Sequence, residues 1–199
     1  MSNTAERVNI IESQVLSDDW YLLKKFTFDY LRNNGVWQRQ TREVYDRGNG
    51  AAILLFNRAQ KTIVLTRQFR LPVFVNGHDG LLVEVAAGLL EGASPQERIR
   101  AEAEEETGYR VHDVQKVFEA YMSPGSVTEK LHFFLAEYDA ASRVGSGGGL
   151  EAEAEDLEVL ELKFDDALEA FYSGQIVDGK TIMLLQYAAM KDIFAAVQT

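Results

Sequence analysis

Glu102 and Glu106 lie four residues apart in a segment that begins at Gly88 and ends at Gly108. On a helix this spacing puts both carboxylates on one face, one turn apart. Carboxylate oxygens are ligands that hard divalent cations such as Mg²⁺ prefer, and an unwound glycine segment nearby could add a backbone carbonyl. The pair therefore predicts a cation site that could hold and polarise a diphosphate.

The glutamates at positions 102 and 104–106 also have an ordinary interpretation, because acidic runs usually form a solvated helix face. Three consecutive glutamates in a last helical turn are, however, disfavoured by the helix dipole. Glu102 and Glu106 also repel each other unless a cation lies between them. Only Arg98, one turn before Glu102, offers local compensation. A helix that conflicts with its own electrostatics in this way is a candidate functional site.

The ends of this helix can be predicted from local signals. Ser94 fits the N-cap, Pro95 the first helical position and Glu97 the third, which together form a capping box. Gly108 fits the left-handed position that ends a helix.

The composition excludes several classes of site and of function. The chain has 199 residues, a net charge of −11 and no cysteine, so disulfides and thiolate metal sites are excluded. An acidic chain without a Lys/Arg run does not fit a nucleic-acid-binding surface. No apolar run is long enough to span a membrane, and no signal pattern begins the chain. We expect a cytoplasmic protein that binds neither nucleic acid nor membrane.

The periodicity predicts an α+β fold with helices packed against sheets. A loop is expected over 71–80, and a long loop rich in Gly and Glu is expected over 140–156. Loops as long as the second one are usually functional or disordered. Besides the helix ending at Gly108, helices are expected over 165–172 and 180–196. Strands are expected within 8–31 and over 36–45, 51–56, 61–69, 81–87, 110–118, 132–138 and 157–164.

The segment from Gly88 to Gly108 resembles the signature of the Nudix hydrolases, in which a glycine and a spacer precede Arg-Glu-apolar-x-Glu-Glu-x-Gly. Three positions depart from that signature. The spacer before Glu102 is one residue shorter, Ser94 stands near the usual upstream glutamate, and Ala101 occupies the usual arginine position. Arg98 and Arg100 are possible substitutes for that arginine.

The similarity extends over roughly residues 8–190 and points to the GDP-mannose pyrophosphatase branch, related to the ADP-ribose pyrophosphatases. The segments that carry it are 42–50, 67–70, 121–125 with Glu129, 147–149 and 178–181. The resemblance implies an α/β/α sandwich with a mixed central sheet, a loop–helix–loop metal site and an N-terminal antiparallel strand element. It divides the chain into a dimerising, substrate-contacting element over 1–48 and a Nudix domain over 49–199, and it implies a homodimer.

The resemblance also implies a metal site. Its ligands would be Glu102, Glu106, the carbonyl of Ala87 and a glutamate of the late acidic loop, for which we choose Glu155 over Glu151 and Glu153. The expected cofactor is Mg²⁺, with Mn²⁺ as a possible substitute, and it would activate a water that attacks phosphorus. Glu105 or Glu153 would be the general base.

Substrate contacts are implied in both parts of the chain. Arg42 and Arg70 would bind the diphosphate or the base, because a guanidinium matches phosphate oxygens in two-point fashion. Trp20 would stack on the nucleobase. Without the resemblance, these arginines would be interpreted as surface residues and Trp20 as a core residue. The other implied contacts are Thr41, Glu43, Ala87, Gly88, Leu89, Glu106, Glu129, Glu155 and Lys180.

Three functions compete at this point. The first is hydrolysis of a nucleotide sugar, GDP-mannose above all, to GMP and mannose 1-phosphate. The second keeps the chemistry but takes ADP-ribose or another diphosphosugar, since pocket contacts worth only a few kcal/mol decide the substrate. The third is a sensor that binds a nucleotide sugar without cleaving it.

Overall fold

The computed structural model describes residues 4–150 and 155–195, which divide into two compact units. The first unit contains the residues up to 49 together with 121–130, and the second contains 50–120 and the residues from 131 onward. The implied site residues are therefore distributed over both units.

The first unit is built on an antiparallel sheet of three strands, β1 (Val8–Asp18), β2 (Leu22–Leu31) and β3 (Trp37–Asp46). A turn at 33–35 joins β2 to β3, and Gly35 there has a φ of 80°. This conformation favours glycine because it carries no Cβ. The second segment of the unit joins the end of β3, where Tyr45 donates its N–H to Ser126 O and accepts from Thr128 N.

The second unit contains a mixed sheet of seven strands. The strands are β4 (Gly50–Asn57), β5 (Thr62–Phe69), β6 (Leu81–Glu84), β7 (Ala86–Leu89), β8 (Gln115–Tyr121), β9 (Lys130–Glu137) and β10 (Glu158–Lys163). The central path of the sheet runs β10-β5-β4-β9-β8, with β6 paired to β5 and β7 paired to β4. The β4–β9 pair is parallel, whereas the β10–β5, β4–β5, β4–β7 and β5–β6 pairs are antiparallel.

Strand β4 lies at the centre of the core, since all eight of its residues are buried. Alternate side chains of a strand point to opposite faces. Ile53 and Leu55 pack in one cluster with Ile99 and Ala103 of helix α2 (Pro95–Thr107). Phe56, on the opposite face, lies 5.9 Å from the ring of Phe194, just after helix α4 (Gly179–Lys191). Helices thus cover both faces, and the expected α+β sandwich is confirmed.

The ends of α2 are confirmed as predicted. The Ser94 hydroxyl accepts a hydrogen bond from Glu97 N, and the Glu97 carboxylate accepts one from Ser94 N. Gly108 has a φ of 77°, and its N–H donates to Glu104 O. These local contacts place the glutamates at fixed positions along the helix.

The approach to α2 differs from the prediction. Residues 71–80 contain a short helix, α1 (Leu71–Val75), instead of a continuous loop. The strand predicted over 81–87 is interrupted at Val85, whose N–H donates to the Thr181 hydroxyl at 2.8 Å. The chain then continues as β7 through Gly88 to Leu89, so Gly88 lies in a strand that pairs with β4 and not in a loop.

Two other boundaries were wrong. Strand β8 begins at Gln115 and not at Arg110, because Tyr109 bridges to Arg143 and Arg110 N donates to Ser142 O. The last helix ends at Lys191 because Asp192 takes a left-handed C-cap conformation. Helix α3 (Phe164–Tyr172) follows β10 as expected. Within 4–150 and 155–195, no helix is long and apolar enough to cross a membrane.

Candidate active site

The site is centred on the close approach of α2 to β7. Glu102 projects from α2 with only 6% of its side chain exposed. A Cβ built on Gly88 of β7 would overlap the Glu102 carboxylate. Only glycine at position 88 therefore leaves room for the Glu102 carboxylate in this place beside the strand.

Arg98 pairs with the glutamates on the same side of α2. Its Nη2 lies 2.6 Å from Glu102 Oε1, and its Nη1 lies 3.5 Å from Glu105 Oε2. Its Nε donates to the carbonyl of Leu89 at 3.1 Å. Arg98 therefore gives Glu102 the local compensation expected from the sequence, whereas Arg100, the other possible substitute for the signature arginine, donates to His112 O.

Glu106 lies in surroundings that disfavour its negative charge. Its side chain is buried, and its Oε2 accepts a hydrogen bond from Ala87 N at 3.3 Å. Burial raises the pKa of Glu106 well above its ordinary value, and the charges of Glu102 and Glu155 raise it further. The Ala87 N–H and the charge of Arg70 act in the opposite direction. The fold therefore brings Glu102, Glu106 and Glu155 near one another.

The late glycine segment connects Glu155 to the end of α2. Gly148 N and Gly149 N donate to the carbonyls of Glu106 and Glu105, at 2.9 and 3.2 Å. These bonds satisfy carbonyls that a helix end leaves without partners. Leu150 N then donates to Glu155 Oε2 at 3.0 Å. Glu151 and Glu153 lie outside the described residues.

The donor set fits a hard divalent cation. Glu102, Glu106 and Glu155 offer oxygen ligands, and like charges this close need a cation to offset them. In the portion of the chain that the structure describes, no three carboxylate or histidine side chains already form a metal-binding cluster. The carboxylates would therefore converge when the ion binds. Mg²⁺ tolerates a small number of protein ligands because it retains several waters.

A second cluster, next to this one, holds two of the implied substrate contacts. Arg70 donates from Nε and Nη2 to Glu84 Oε2, at 3.1 and 2.7 Å. Lys180 Nζ lies 3.2 Å from Glu84 Oε1 and 3.0 Å from Asp178 Oδ1. Sequence reasoning missed Glu84, although an acid inside the apolar run 81–87 was a signal. Its buried carboxylate fixes both cations.

The other implied contacts lie in the first unit, with the exception of Leu89. Trp20 is 82% exposed, so its alternative interpretation as a core residue was wrong. Thr41, Arg42 and Glu43 are consecutive residues of β3, and Arg42 donates to Thr41 O and Gln40 Oε1. Glu129 pairs with Arg47 at 3.4 Å. Leu89 is half-buried in β7 of the second unit, next to Gly88.

Comparison with protein families explains this arrangement. The family model for the NUDIX domain matches residues 46–179, more than half of the chain. The chain belongs to the Nudix hydrolase family. The matched range includes Glu84, α2 and Glu155, and it stops one residue before Lys180. A second model, for the GDP-mannose pyrophosphatase NudK N-terminal domain, matches residues 7–45.

Curated relatives of this Nudix chain match nearly its whole length. A protein of Pectobacterium atrosepticum is 58% identical over 189 residues, which cover 94% of this chain and 97% of that protein. A protein of Yersinia enterocolitica is 56% identical, with 92% and 95% covered. One of Salmonella arizonae is 53% identical, with 95% and 98% covered. All three are named GDP-mannose pyrophosphatase.

The close approach at Gly88 can be tested by adding one methyl group. We expect Gly88→Ala to displace the Glu102 carboxylate, and to lower both stability and the response of the protein to Mg²⁺. The loss in stability should be about 2 kcal/mol, as for other overpacked sites. Urea unfolding with and without Mg²⁺ measures both effects. Gly125→Ala is the control, because its Cβ would meet nothing within 4 Å. Equal stability and equal response to Mg²⁺ in the two variants would contradict the steric constraint at Gly88.

The repulsion at Glu106 predicts that replacing this residue should stabilise the metal-free protein, whereas Gly88→Ala should destabilise it. The raised pKa of Glu106 means that the metal-free fold loses stability as pH rises from the ordinary glutamate value through that raised pKa. Glu106→Gln should therefore raise the stability of the metal-free protein at pH 8 by about 1 kcal/mol, or roughly 2–4 °C in Tm. Added Mg²⁺ should stabilise the wild type but not the variant.

Thermal unfolding in a chelator and then in Mg²⁺ measures these changes. Glu104→Gln is the matched control, since Glu104 lies on the same helix but forms an exposed pair with Arg110. Its removal should leave the stability nearly unchanged, because exposed ion pairs contribute little. A Glu106→Gln variant that melts lower than the wild type in chelator would refute the proposed repulsion.

Proposed function

We propose that this protein hydrolyses the diphosphate bond of a nucleotide sugar, with GDP-mannose as substrate and Mg²⁺ as cofactor. The products are GMP and mannose 1-phosphate. The observation that carries the substrate is the similarity to three GDP-mannose pyrophosphatases at 53–58% identity, which runs through both units of the chain. The match of residues 7–45 to an N-terminal domain of such enzymes adds to it.

The carboxylate cluster on α2 supports the metal-dependent chemistry. Glu102, Glu106 and Glu155, with the carbonyl of Ala87, would hold the cation. A bound Mg²⁺ supplies positive charge for the diphosphate oxygens and lowers the pKa of a bound water. Mn²⁺ fits the same oxygen ligands. Glu106 receives a hydrogen bond from Ala87 N, which keeps its carboxylate beside the backbone of β7.

The reaction itself is a substitution at phosphorus. The water oxygen forms a bond to one phosphorus, the bridging P–O bond breaks, and the other phosphate leaves with the bonding electron pair. The water proton passes to a carboxylate, for which Glu105 and Glu153 are the candidates. Glu105 is held by Arg98 at 3.5 Å and remains partly exposed, which leaves it within reach of solvent.

Arg70 and Lys180 are proposed to bind the substrate from their positions on Glu84. Arg70 and Lys180 both contact the buried carboxylate of Glu84, so their charged groups are already in place before a substrate binds. Such preorganised charge stabilises a diphosphate without a further loss of side-chain freedom. The remaining contacts, Trp20, Thr41, Arg42, Glu43, Gly88, Leu89 and Glu129, are proposed from the family resemblance.

We also propose that the protein is a homodimer through its N-terminal sheet. Every residue of β1 except Val8 is exposed, and the exposed residues include Ile10, Ile11, Val15 and Leu16. An exposed strand that carries several large apolar residues is a candidate surface for contact with another protein. A second copy of the chain would cover it. The cytoplasmic location expected from the sequence stays a prediction.

A substrate panel tests the proposed activity. The full-length protein with Mg²⁺ should release GMP from GDP-mannose faster than it cleaves ADP-ribose or UDP-sugars, as measured by chromatography of the products. Glu102→Gln should lower kcat by about 100-fold or more, because it removes a metal ligand. Glu104→Gln, the exposed control on the same helix, should keep the wild-type rate. Faster release of AMP from ADP-ribose would reassign the substrate, and tight binding without products would indicate a sensor.

Sedimentation tests the proposed dimer. The wild-type protein should sediment as a dimer, and a double variant Ile10→Asp and Val15→Asp should sediment as a folded monomer, because two buried charges at the interface cost several kcal/mol. Met190→Asp is the control, since Met190 is an exposed apolar residue of α4 in the second unit. A monomeric wild type, or a double variant that stays dimeric, would contradict the proposed interface.

A further inference from the structure

Arg98 makes three contacts with the parts of the proposed metal site. Its guanidinium bonds Glu102, approaches Glu105, and donates to the carbonyl of Leu89 in β7. Residues 98, 102 and 105 follow the spacing i, i+4, i+7, which places all three on one stripe of α2. Arg98 is therefore the link between the acidic face of the helix and the glycine strand beside it.

We propose that Arg98 is a positioning residue that orients Glu102 and Glu105, and that it replaces the arginine which the Nudix signature has at position 101. The proposal rests on the proposed metal-dependent hydrolysis. Ala101 has no side chain with which to bond a carboxylate. Arg98, three residues earlier in the chain, supplies a guanidinium that is bonded to Glu102.

The geometry of the guanidinium suits this role. Its planar fork offers several N–H donors in fixed directions, so it can bond a carboxylate and a carbonyl at the same time. Nε is engaged by Leu89 O, which leaves the two Nη groups to approach Glu102 and Glu105. The anchor on β7 fixes the guanidinium, and the guanidinium in turn fixes the carboxylates.

Burial separates this pair from an ordinary surface ion pair. The side chain of Arg98 is 18% exposed and that of Glu102 is 6% exposed. The Arg110–Glu104 pair, whose glutamate lies on the same helix, is far more exposed. Exposed pairs contribute little, whereas loss of one partner of a buried pair leaves an uncompensated charge. Loss of Arg98 would remove the ion pair that holds the Glu102 carboxylate in its place beside Gly88.

The first test measures metal affinity in the absence of any nucleotide. Full-length wild type and Arg98→Ala are titrated with Mn²⁺, and free ion is followed by electron paramagnetic resonance. We expect Arg98→Ala to bind Mn²⁺ about tenfold more weakly, in the range known for residues that orient metal ligands. Arg100→Ala is the matched control, since Arg100 lies on the same helix but bonds His112 O, and it should bind as the wild type does.

The second test moves the arginine back to the signature position. A double variant, Arg98→Ala with Ala101→Arg, places a guanidinium one turn before Glu105 and next to Glu102. It should recover most of the Mn²⁺ affinity, to within about threefold of the wild type. A merely structural loss at position 98 would not be repaired by a charge at position 101.

Arg98→Lys is a second variant that keeps the proposal testable if Arg98→Ala does not fold. It retains a positive charge near Glu102 but loses the fork, so Mn²⁺ should bind about threefold more weakly than to the wild type. Unchanged Mn²⁺ binding by Arg98→Ala or Arg98→Lys would overturn the proposal. Tighter Mn²⁺ binding by either variant would also overturn it, because Arg98 would then compete with the metal for the carboxylates. Failure of the double variant to recover affinity would overturn it as well.

Steady-state kinetics separate this proposal from the proposed function. If GDP-mannose is cleaved, Arg98→Ala should need about tenfold more Mg²⁺ for its half-maximal rate, while KM for GDP-mannose at saturating Mg²⁺ should stay unchanged. If the wild type cleaves none of the nucleotide sugars, the proposed function fails, but the Mn²⁺ titrations still decide the role of Arg98.

Discussion

The burial of several carboxylates between α2 and β7 is the constraint on which the rest of the second unit depends. Glu102 and Glu106 are both nearly inaccessible to water, and Glu155 acts on the same region. Charges in such a place are stable only when hydrogen bonds or opposite charges surround them. Arg98, the Ala87 N–H and the more distant Arg70 provide this surrounding. They reduce the repulsion without removing it, which leaves the site prepared for a cation.

The site consists of two clusters with different tasks. The carboxylates of α2 form one cluster, and the buried Glu84 carboxylate holds Arg70 and Lys180 in a second, where Asp178 also contacts Lys180. The two influence each other, because the charge of Arg70 lowers the pKa of Glu106 and the charge of Glu106 raises that of Arg70. A diphosphate with its cation has both signs of charge to satisfy. The carboxylates of α2 match the cation of such a ligand, and the N–H groups of Arg70 and Lys180 match its phosphate oxygens.

Local signals allowed α2 to be predicted almost to the residue, whereas contacts between distant residues could not be predicted. The capping box of Ser94 and the left-handed Gly108 are encoded within a few positions of the helix ends. Gly88 was expected in a loop because its pairing with β4, opposite Ala51, cannot be inferred from neighbouring residues. The late start of β8 depends likewise on the bridge from Tyr109 to Arg143. Glu84 was missed because its partners lie on α4 and at the end of β5.

The bonds from Gly148 and Gly149 to the last carbonyls of α2 have a consequence for the order of events during folding. The glutamate helix is complete by residue 107, but the amides that close its end are added to the chain some forty residues later. During synthesis at the ribosome, the helix therefore emerges before the segment that finishes its last turn. Any fragment that stops short of the glycine segment has the acidic helix but an open carboxyl end. Completion of the helix that carries the proposed cation ligands therefore depends on the late-made half of the chain.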